Sequence, residues 1–354
     1  MLGLDARAAR YTWTAIVVVL LLYGAYLLQK TIFVFILSLL LAYLLHPLVS
    51  VLDRMLPGSR TRTPALTLAY VLVIAALGFV GFQLGSRVLE QAHTLAGQFP
   101  AMLQKWELPA APAAPAAGLR AEVMARVQEQ LREIVHTVVA SLPRAGMVVL
   151  AMAGDLVYVV VIPVLAFFFL KDAASLKQHF LDFIQDDTRR ALIGGLIADI
   201  NLLLVHYIRG LALLSVATFV AYSICFFILG VPYTILLCVM AATLELIPMI
   251  GPLTAAVVIA IVAGVSGINV WPILIFMGVY RLFQDYVLLP HVMGSGVQLH
   301  PLLVLFGVFA GTEVAGIPGA FLSVPVLALL RIIYRRFALR SRAPGALAGV
   351  PRPV

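Results

Sequence analysis

Charge is the scarcest commodity in this chain. Asp, Glu, Lys and Arg supply 11% of its 354 residues while apolar side chains supply 63%. Soluble domains carry roughly 25% charge, so a soluble globular class is excluded and a polytopic membrane protein is implied. Acids are absent altogether from the C-terminal stretch that holds Arg331, Arg335, Arg336, Arg340, Arg342 and Arg352. In so apolar a chain this run reads as a cytoplasmic anchor obeying the positive-inside bias rather than a nucleic-acid surface. Only two cysteines occur, Cys225 and Cys238. Both lie in apolar segments and offer neither a disulfide framework nor a metal-ligand spacing, which reads as core. No His-Glu-x-x-His motif and no phosphate-binding loop is present, so neither zinc proteolysis nor ATP-driven work by this chain alone is expected, and no cofactor is implied.

What is present is a succession of apolar runs. Trp13 to Leu28 follows Arg7 and Arg10 and lacks a small-residue cleavage site, so a retained first span with its N-terminus inside is expected. Thr31 to Leu45 follows almost at once and ends at His46-Pro47. A third run extends from about Pro64 to Gly85. Between Ser86 and Gly146 the composition shifts: six basic and five acidic residues appear, with a Pro-Ala-Ala repeat from Pro109 to Ala117. The flanks Arg87 to Trp106 and Leu119 to Ser141 show helical-period apolar residues, and parity of crossings places them outside as amphipathic helices joined by a stiff linker. Met147 to Leu170 is a fourth span, with Asp155 inside it. Ala173 to Gly210 is charged and amphipathic and reads as cytoplasmic helices against the membrane.

From Gly210 to Leu330 the only charged residues are Glu245, Arg281, Asp285 and Glu313. Glycine and proline divide this part into Gly210 to Leu229, Pro232 to Ile250, Pro252 to Val265, Trp271 to Leu289, Pro301 to Gly316 and Pro318 to Tyr334. Several pieces are shorter than the roughly 20 residues a full span needs. The pairs joined at Gly251-Pro252 and at Gly316-Ile317-Pro318-Gly319 are therefore candidate re-entrant hairpins. The stretch Glu245-Leu246-Ile247-Pro248-Met249-Ile250-Gly251-Pro252 stands out among them. Two prolines bracketing a glycine open a helix and free backbone groups. Within a bilayer such backbone is tolerated only where protein buries it or a wet cavity receives it, and an intramembrane acid beside it marks function. Gly251 is expected to take a positive φ there.

Other polar residues carry competing readings. Arg281 and Asp285 lie four apart on one helix and can neutralise each other or serve a site. Asp155 and Glu313 fit interfacial positions. His291 and His300 flank a loop and read as polar contacts. Gly264-Val265-Ser266-Gly267 matches the Gly-x-Ser-Gly pattern of intramembrane serine proteases, with histidines downstream, but four-residue matches arise easily among 26 glycines and a catalytic pair needs a histidine within hydrogen-bond reach, which spacing does not establish.

Leu41-Ala42-Tyr43-Leu44-Leu45-His46-Pro47, Phe169-Leu170-Lys171-Asp172, Gly230-Val231-Pro232-Tyr233, Glu245 to Pro252, Leu289-Pro290-His291-Val292-Met293-Gly294, Leu299-His300-Pro301, Gly316-Ile317-Pro318-Gly319 and Val324-Pro325 together resemble the autoinducer-2 exporter family. Their order and spacing match over nearly the whole chain, more loosely in the N-terminal third. The resemblance implies a bacterial inner-membrane protein, a homo-oligomer with a pentamer as one possibility. Its implied activity is export of a small polar signal or exchange of sodium for protons. Two positions depart from the family pattern: Gln284 stands where an acid is common, and Leu211 where glutamine is. Both remove polar groups available to an ion and favour organic-solute export.

The expectation is an all-α polytopic protein of about eight spans plus one or two re-entrant helical hairpins. Residues 1–85 form N-terminal spans, 86–146 an extracytoplasmic insertion, 147–209 a span with cytoplasmic helices, 210–334 the translocation domain and 335–354 a basic cytoplasmic tail. Candidate binding or gating residues are Glu245, Pro248, Gly251, Pro252, Gln284, Asp285, Pro290, Gly294, Gly316, Pro318 and Gly319. No catalytic or metal-binding residue is expected. The partners implied are the lipid bilayer and a small polar solute or a monovalent cation, with coupling to H⁺ or Na⁺ and no nucleic acid.

Overall fold

The computed structural model describes residues 6–55, 62–105, 126, 156–293 and 299–341, and no strand occurs among them. In chain order the helices are α1 (Ala6–Leu27), α2 (Gln29–Met55), α3 (Arg62–Lys105), α4 (Leu156–Asp182), α5 (Asp187–Ile228), α6 (Thr234–Leu244), α7 (Ile250–Val265) and α8 (Val270–Phe283). A π-helical turn (Gln284–Leu288), α9 (Leu289–Met293) and α10 (Pro301–Ser341) complete them. Among the described residues five stretches are long and apolar enough to cross a membrane, Gln29–Val49, Leu66–Phe99, Asp187–Ile228, Val270–Val292 and Pro301–Arg336, and the pair Tyr158–Ala173 and Ser175–Asp182, bent by 68°, makes a sixth when counted as one span. Three shorter apolar helices accompany them, Arg10–Leu21, Thr234–Leu244 and Ile250–Val265. The chain is thus an all-α, polytopic membrane protein.

Two compact units are distinguished, residues 1–70 with 155–176 and residues 71–154 with 177–354. In the first, Leu28 N–H bonds Gly24 O at 3.0 Å and Ile32 N–H bonds Leu28 O at 2.8 Å. These are α-helical bonds, so α1 leads into α2 with no loop between the two runs that the sequence separates. The Tyr70 hydroxyl donates to the Pro163 carbonyl, the Tyr70 ring meets Phe167 edge-on at 5.4 Å, and Phe35 meets Phe169 edge-on at 6.1 Å.

In the second unit the expected helix from Arg87 is the continuation of α3, whose 44 residues measure about 66 Å at the α-helical rise, twice a bilayer core. Likewise α5 passes unbroken through Gly210. One glycine costs a helix interior only about 1 kcal/mol relative to alanine, too little to end a helix packed on both sides. The start of α5 is capped by Asp186, whose carboxylate accepts from the N–H groups of Thr188 and Arg189 at 2.8 and 3.2 Å. Near that end Arg336 of α10 lies over Gly195, donating to Asp199 Oδ2 at 2.9 Å and Leu192 O at 3.1 Å.

Both expected breaks occur, and at Gly316 the chain reverses. α6 and α7, 11 and 16 residues long, are each too short to span. α10 is broken at Ala315 (φ −141°, ψ 20°) and Gly316 (φ 62°, ψ −143°). A straight helix would hold Gly307 and Leu327 about 30 Å apart. Instead a Cβ on Gly307 would collide with the Leu327 side chain, and one on Gly311 with the Gly319 backbone. The stretch 301–336 is therefore two antiparallel limbs meeting at Gly316, close-packed through small residues as membrane helices commonly are. Leu95 and Phe99 of α3, Tyr222 and Phe226 of α5, Leu237 and Cys238 of α6, Ile259 and Val262 of α7, and Ile273 and Met277 of α8 form one buried cluster.

Candidate functional site

The break between α6 and α7 is built from a few backbone facts. Past Leu244 the bonds shorten, with Leu246 N–H to Thr243 O at 3.2 Å and Ile247 N–H to Leu244 O at 2.9 Å. Pro248 has no N–H to continue them. Met249 then adopts φ 66°, ψ −55°, and Ile250 N–H bonds Pro248 O at 2.8 Å. That is a γ-turn of the strained, positive-φ kind. The positive φ expected at Gly251 therefore belongs to Met249. Gly251 is required for another reason: a Cβ there would overlap the Leu244 carbonyl oxygen. Pro252 lies within the first turn of α7, where a missing N–H is harmless.

Glu245 caps the C-terminal end of α6 and is 8% exposed. Gln284, in the π-helical turn, donates from Nε2 to Glu245 Oε1 at 2.7 Å. Arg281 of α8 reaches the same oxygen from Nη1 at 3.4 Å, and its Nε donates to Asp285 Oδ2 at 3.0 Å. The guanidinium is thus shared between two carboxylates, so Arg281 and Asp285 do neutralise each other, with Glu245 as a second partner of the arginine. The π-turn contributes by geometry. Its extra residue per turn widens the helix locally, a distortion concentrated at functional sites, and it carries both Gln284 and Asp285.

A polar stripe on α5 completes the surroundings. The Thr218 hydroxyl and Tyr280 OH are 3.2 Å apart and buried, and Thr218 also faces the Glu245 carboxylate. Ser215 donates to Ala242 O on α6 at 2.8 Å, while Tyr222 meets Tyr280 edge-on at 5.4 Å. Ser215, Thr218 and Tyr222 recur at helical spacing along one face, and that spacing in an otherwise apolar run was the available signal for them. With both acids ionised the cluster has one formal negative charge in excess. Such an arrangement can hold a proton or small cation by exchanging Arg281 between partners, and can offer hydrogen bonds to a polar solute.

The remaining candidates fall elsewhere. Gly316, Pro318 and Gly319 form the tip and first turn of the α10 reversal, and no described hydrogen bond or ion pair joins them to Glu245. Pro290 is exposed on α9, and Gly294 lies outside the described residues. His291 bonds the Val287 carbonyl of its own helical segment at 2.6 Å. Ser266 donates to Val262 O at 2.7 Å, its hydroxyl spent on its own helix.

Broken apolar helices around a buried polar cluster define a multi-pass membrane protein with an intramembrane polar site. The chain belongs to the AI-2E family of transporters, whose sequence profile it matches over residues 15–338. It is 30% identical over 184 residues to the Bacillus subtilis protein named "Putative transport protein YrrI", covering 51% of each chain. It is 21% identical over 316 residues to "Putative transport protein YueF" of the same organism, covering 86% of this chain and 84% of the other. With "Putative permease PerM" of Escherichia coli K12 it shares 26% over 182 residues, half of each chain. The chain thus spans about half the length of YrrI and PerM and most of YueF.

Proposed function

We propose that the protein exports a small polar solute, such as an autoinducer-2-like signal, by alternating access across a bacterial inner membrane. In this reading it works as a homo-oligomer, a pentamer being the assembly the family resemblance suggests, with both termini in the cytoplasm. The observation that carries the reading is the buried Glu245–Gln284–Arg281–Asp285 constellation set directly against the Pro248–Pro252 break. Half-helix ends and irregular backbone beside intramembrane charge are the ingredients from which secondary transporters build solute and ion sites. The γ-turn at Met249 and the reversal at Gly316 serve as the points about which short limbs move, and Glu245 serves as the coupling or solute-contacting group.

A second reading, sodium/proton exchange, draws support from the one excess carboxylate in the cluster. Gln284 weighs against it: a neutral amide occupies a position where a second acid would add cation affinity, and it already satisfies Glu245. Purified protein in liposomes separates the readings. Saturable uptake of a polar solute without a sodium requirement supports export, while sodium-driven proton movement in the absence of any organic solute supports exchange. Liposomes that show neither flux reject both.

A further inference from the structure

The first turn of α6 is held in an unusual way. Its N-cap, Tyr233, has φ 57° and ψ 30° and makes no side-chain capping bond. A left-handed conformation is disfavoured for any residue with a Cβ, and a tyrosine cannot reach back to the orphan N–H groups of its own helix as Ser or Asp would. Both deficits are made good from α3. Gln91 Oε1 accepts from Leu236 N–H at 2.8 Å, capping the helix in trans, and Tyr233 OH donates to Gln98 Oε1 at 2.9 Å. Gln91 and Gln98 are seven residues apart and share one face of α3. Beside them Leu95 and Phe99 enter the buried cluster that holds Leu237 and Cys238.

The tie therefore acts on a short rod with a working end. α6 has 11 residues; α3 grips its first turn and Glu245 sits at its last. Cys238 and Glu245, seven apart, are both buried on the same side of it. Around the tie is a cleft of about 420 Å³ lined by Arg87, Glu90, Gln91, Thr94, Tyr233 and Ile235. Water in such a space can take over the Gln91 bond at little enthalpic cost.

We infer that Gln91 is a positioning residue for the Glu245 site: by capping α6 from α3 it sets where α6 lies along its axis, and hence how Glu245 meets Gln284 and Arg281. The inference rests on Glu245 being the working group in transport. Its test uses the full chain with Cys225→Ser, leaving Cys238 as the single thiol, and measures Cys238 modification by N-ethylmaleimide in detergent alongside flux in liposomes.

Gln91→Leu removes the acceptor and Gln91→Glu keeps it. Losing a helix cap corresponds to about a fivefold change in local opening. A rise of that order in Cys238 labelling is expected for Gln91→Leu, with the parental rate restored by Gln91→Glu. In the same variants maximal flux falls and recovers while half-saturation stays put. Tyr233→Phe, which loses only the second tie and tests the idea if Gln91→Leu does not accumulate, should label at an intermediate rate. Unchanged labelling, equal labelling of the Leu and Glu variants, or raised labelling with unaltered flux would each overturn the inference. A parent protein with no flux defeats the transport reading alone, and the labelling series still decides whether Gln91 holds α6.

Discussion

Gly251 and Met249 exchange the roles that residue type would assign them. The glycine is there because the Leu244 carbonyl leaves no room for a Cβ, and the methionine bears the positive φ. Opposite outcomes are therefore expected from two small changes. Gly251→Ala should abolish flux and lower the melting temperature, since backbone rather than a flexible side chain must move. Met249→Gly should keep flux and raise the melting temperature, because strain of roughly 1–3 kcal/mol at such a residue is relieved. Comparable tolerance of both in a melting assay would contradict the turn described.

Arg281 gives a second residue-scale prediction. Its guanidinium has two acceptors, so neither Glu245→Gln nor Asp285→Asn strands it. Each single variant should melt close to the parent, while the double variant, which strands the guanidinium, should lose more than the sum of the two by roughly 0.5–3 kcal/mol, the range for residues sharing a partner. Additive losses would mean the two acids are independent. A charged residue in an apolar run announces itself, and Glu245, Asp285 and the Gln284 substitution were all legible. The sharing of Arg281 was not, because it depends on the distance between α6 and α8. The same holds for Thr218 and Tyr280, ordinary residues in a membrane helix until two helices face them inward.

Among the elements, those with chemical punctuation are legible in the sequence and those without it are not legible at their edges. Pro248 with Gly251 marks the break between α6 and α7, and Gly316 with Pro318 the reversal in α10. The continuity of α3 past Ser86, of α5 through Gly210 and of α1 into α2 was missed, since a change in polarity marks where a helix leaves the membrane rather than where it ends. Gly316 combines φ 62° with ψ −143°, a region open essentially to glycine alone. Gly316→Ala should therefore splay the α10 limbs, seen as faster hydrogen exchange around Gly311 and Gly319; unchanged protection there would contradict the reversal.

At the start of α5 the Arg189 N–H, followed by other contacts from Arg189 and Thr188, holds the Asp186 carboxyl below the ordinary carboxylate range. A lowered folded-state pKa means that the cap's contribution is complete above the unfolded value of about 3.9 and is lost as pH falls through the folded one. Exchange at Thr188 and Arg189 should accordingly rise only under acid conditions below about pH 4. Asp186→Asn, which caps without titrating, should remove that rise. A rise near neutral pH in the parent would contradict the assignment.

For the whole molecule, sidedness counted from the N-terminus depends on whether the chain reverses at Leu28, where the helical bonds continue. Counted back from the arginine-rich tail it does not. In the proposed topology α5 and the α8–α9 segment each cross once, the bent pair Tyr158–Ala173 and Ser175–Asp182 of α4 crosses once as a single broken span, and each hairpin crosses either twice or not at all. Single cysteines at Ala114 and Ala346, in a background lacking Cys225 and Cys238, should therefore report opposite sides to a membrane-impermeant thiol reagent, with Ala346 inside by the positive-inside bias. Labelling of both from one side would remove a crossing from this topology.

Whether Glu245 is the working group of a transporter or a buried structural acid is decided most directly by one measurement. Solute flux is followed against pH in liposomes containing the parent or Glu245→Gln, a substitution that keeps the shape and an acceptor for Gln284 while Asp285 retains Arg281. The predicted result is pH-dependent flux in the parent and pH-independent flux in the variant, at similar half-saturation and with melting little changed. The same pH dependence in both proteins would contradict the account.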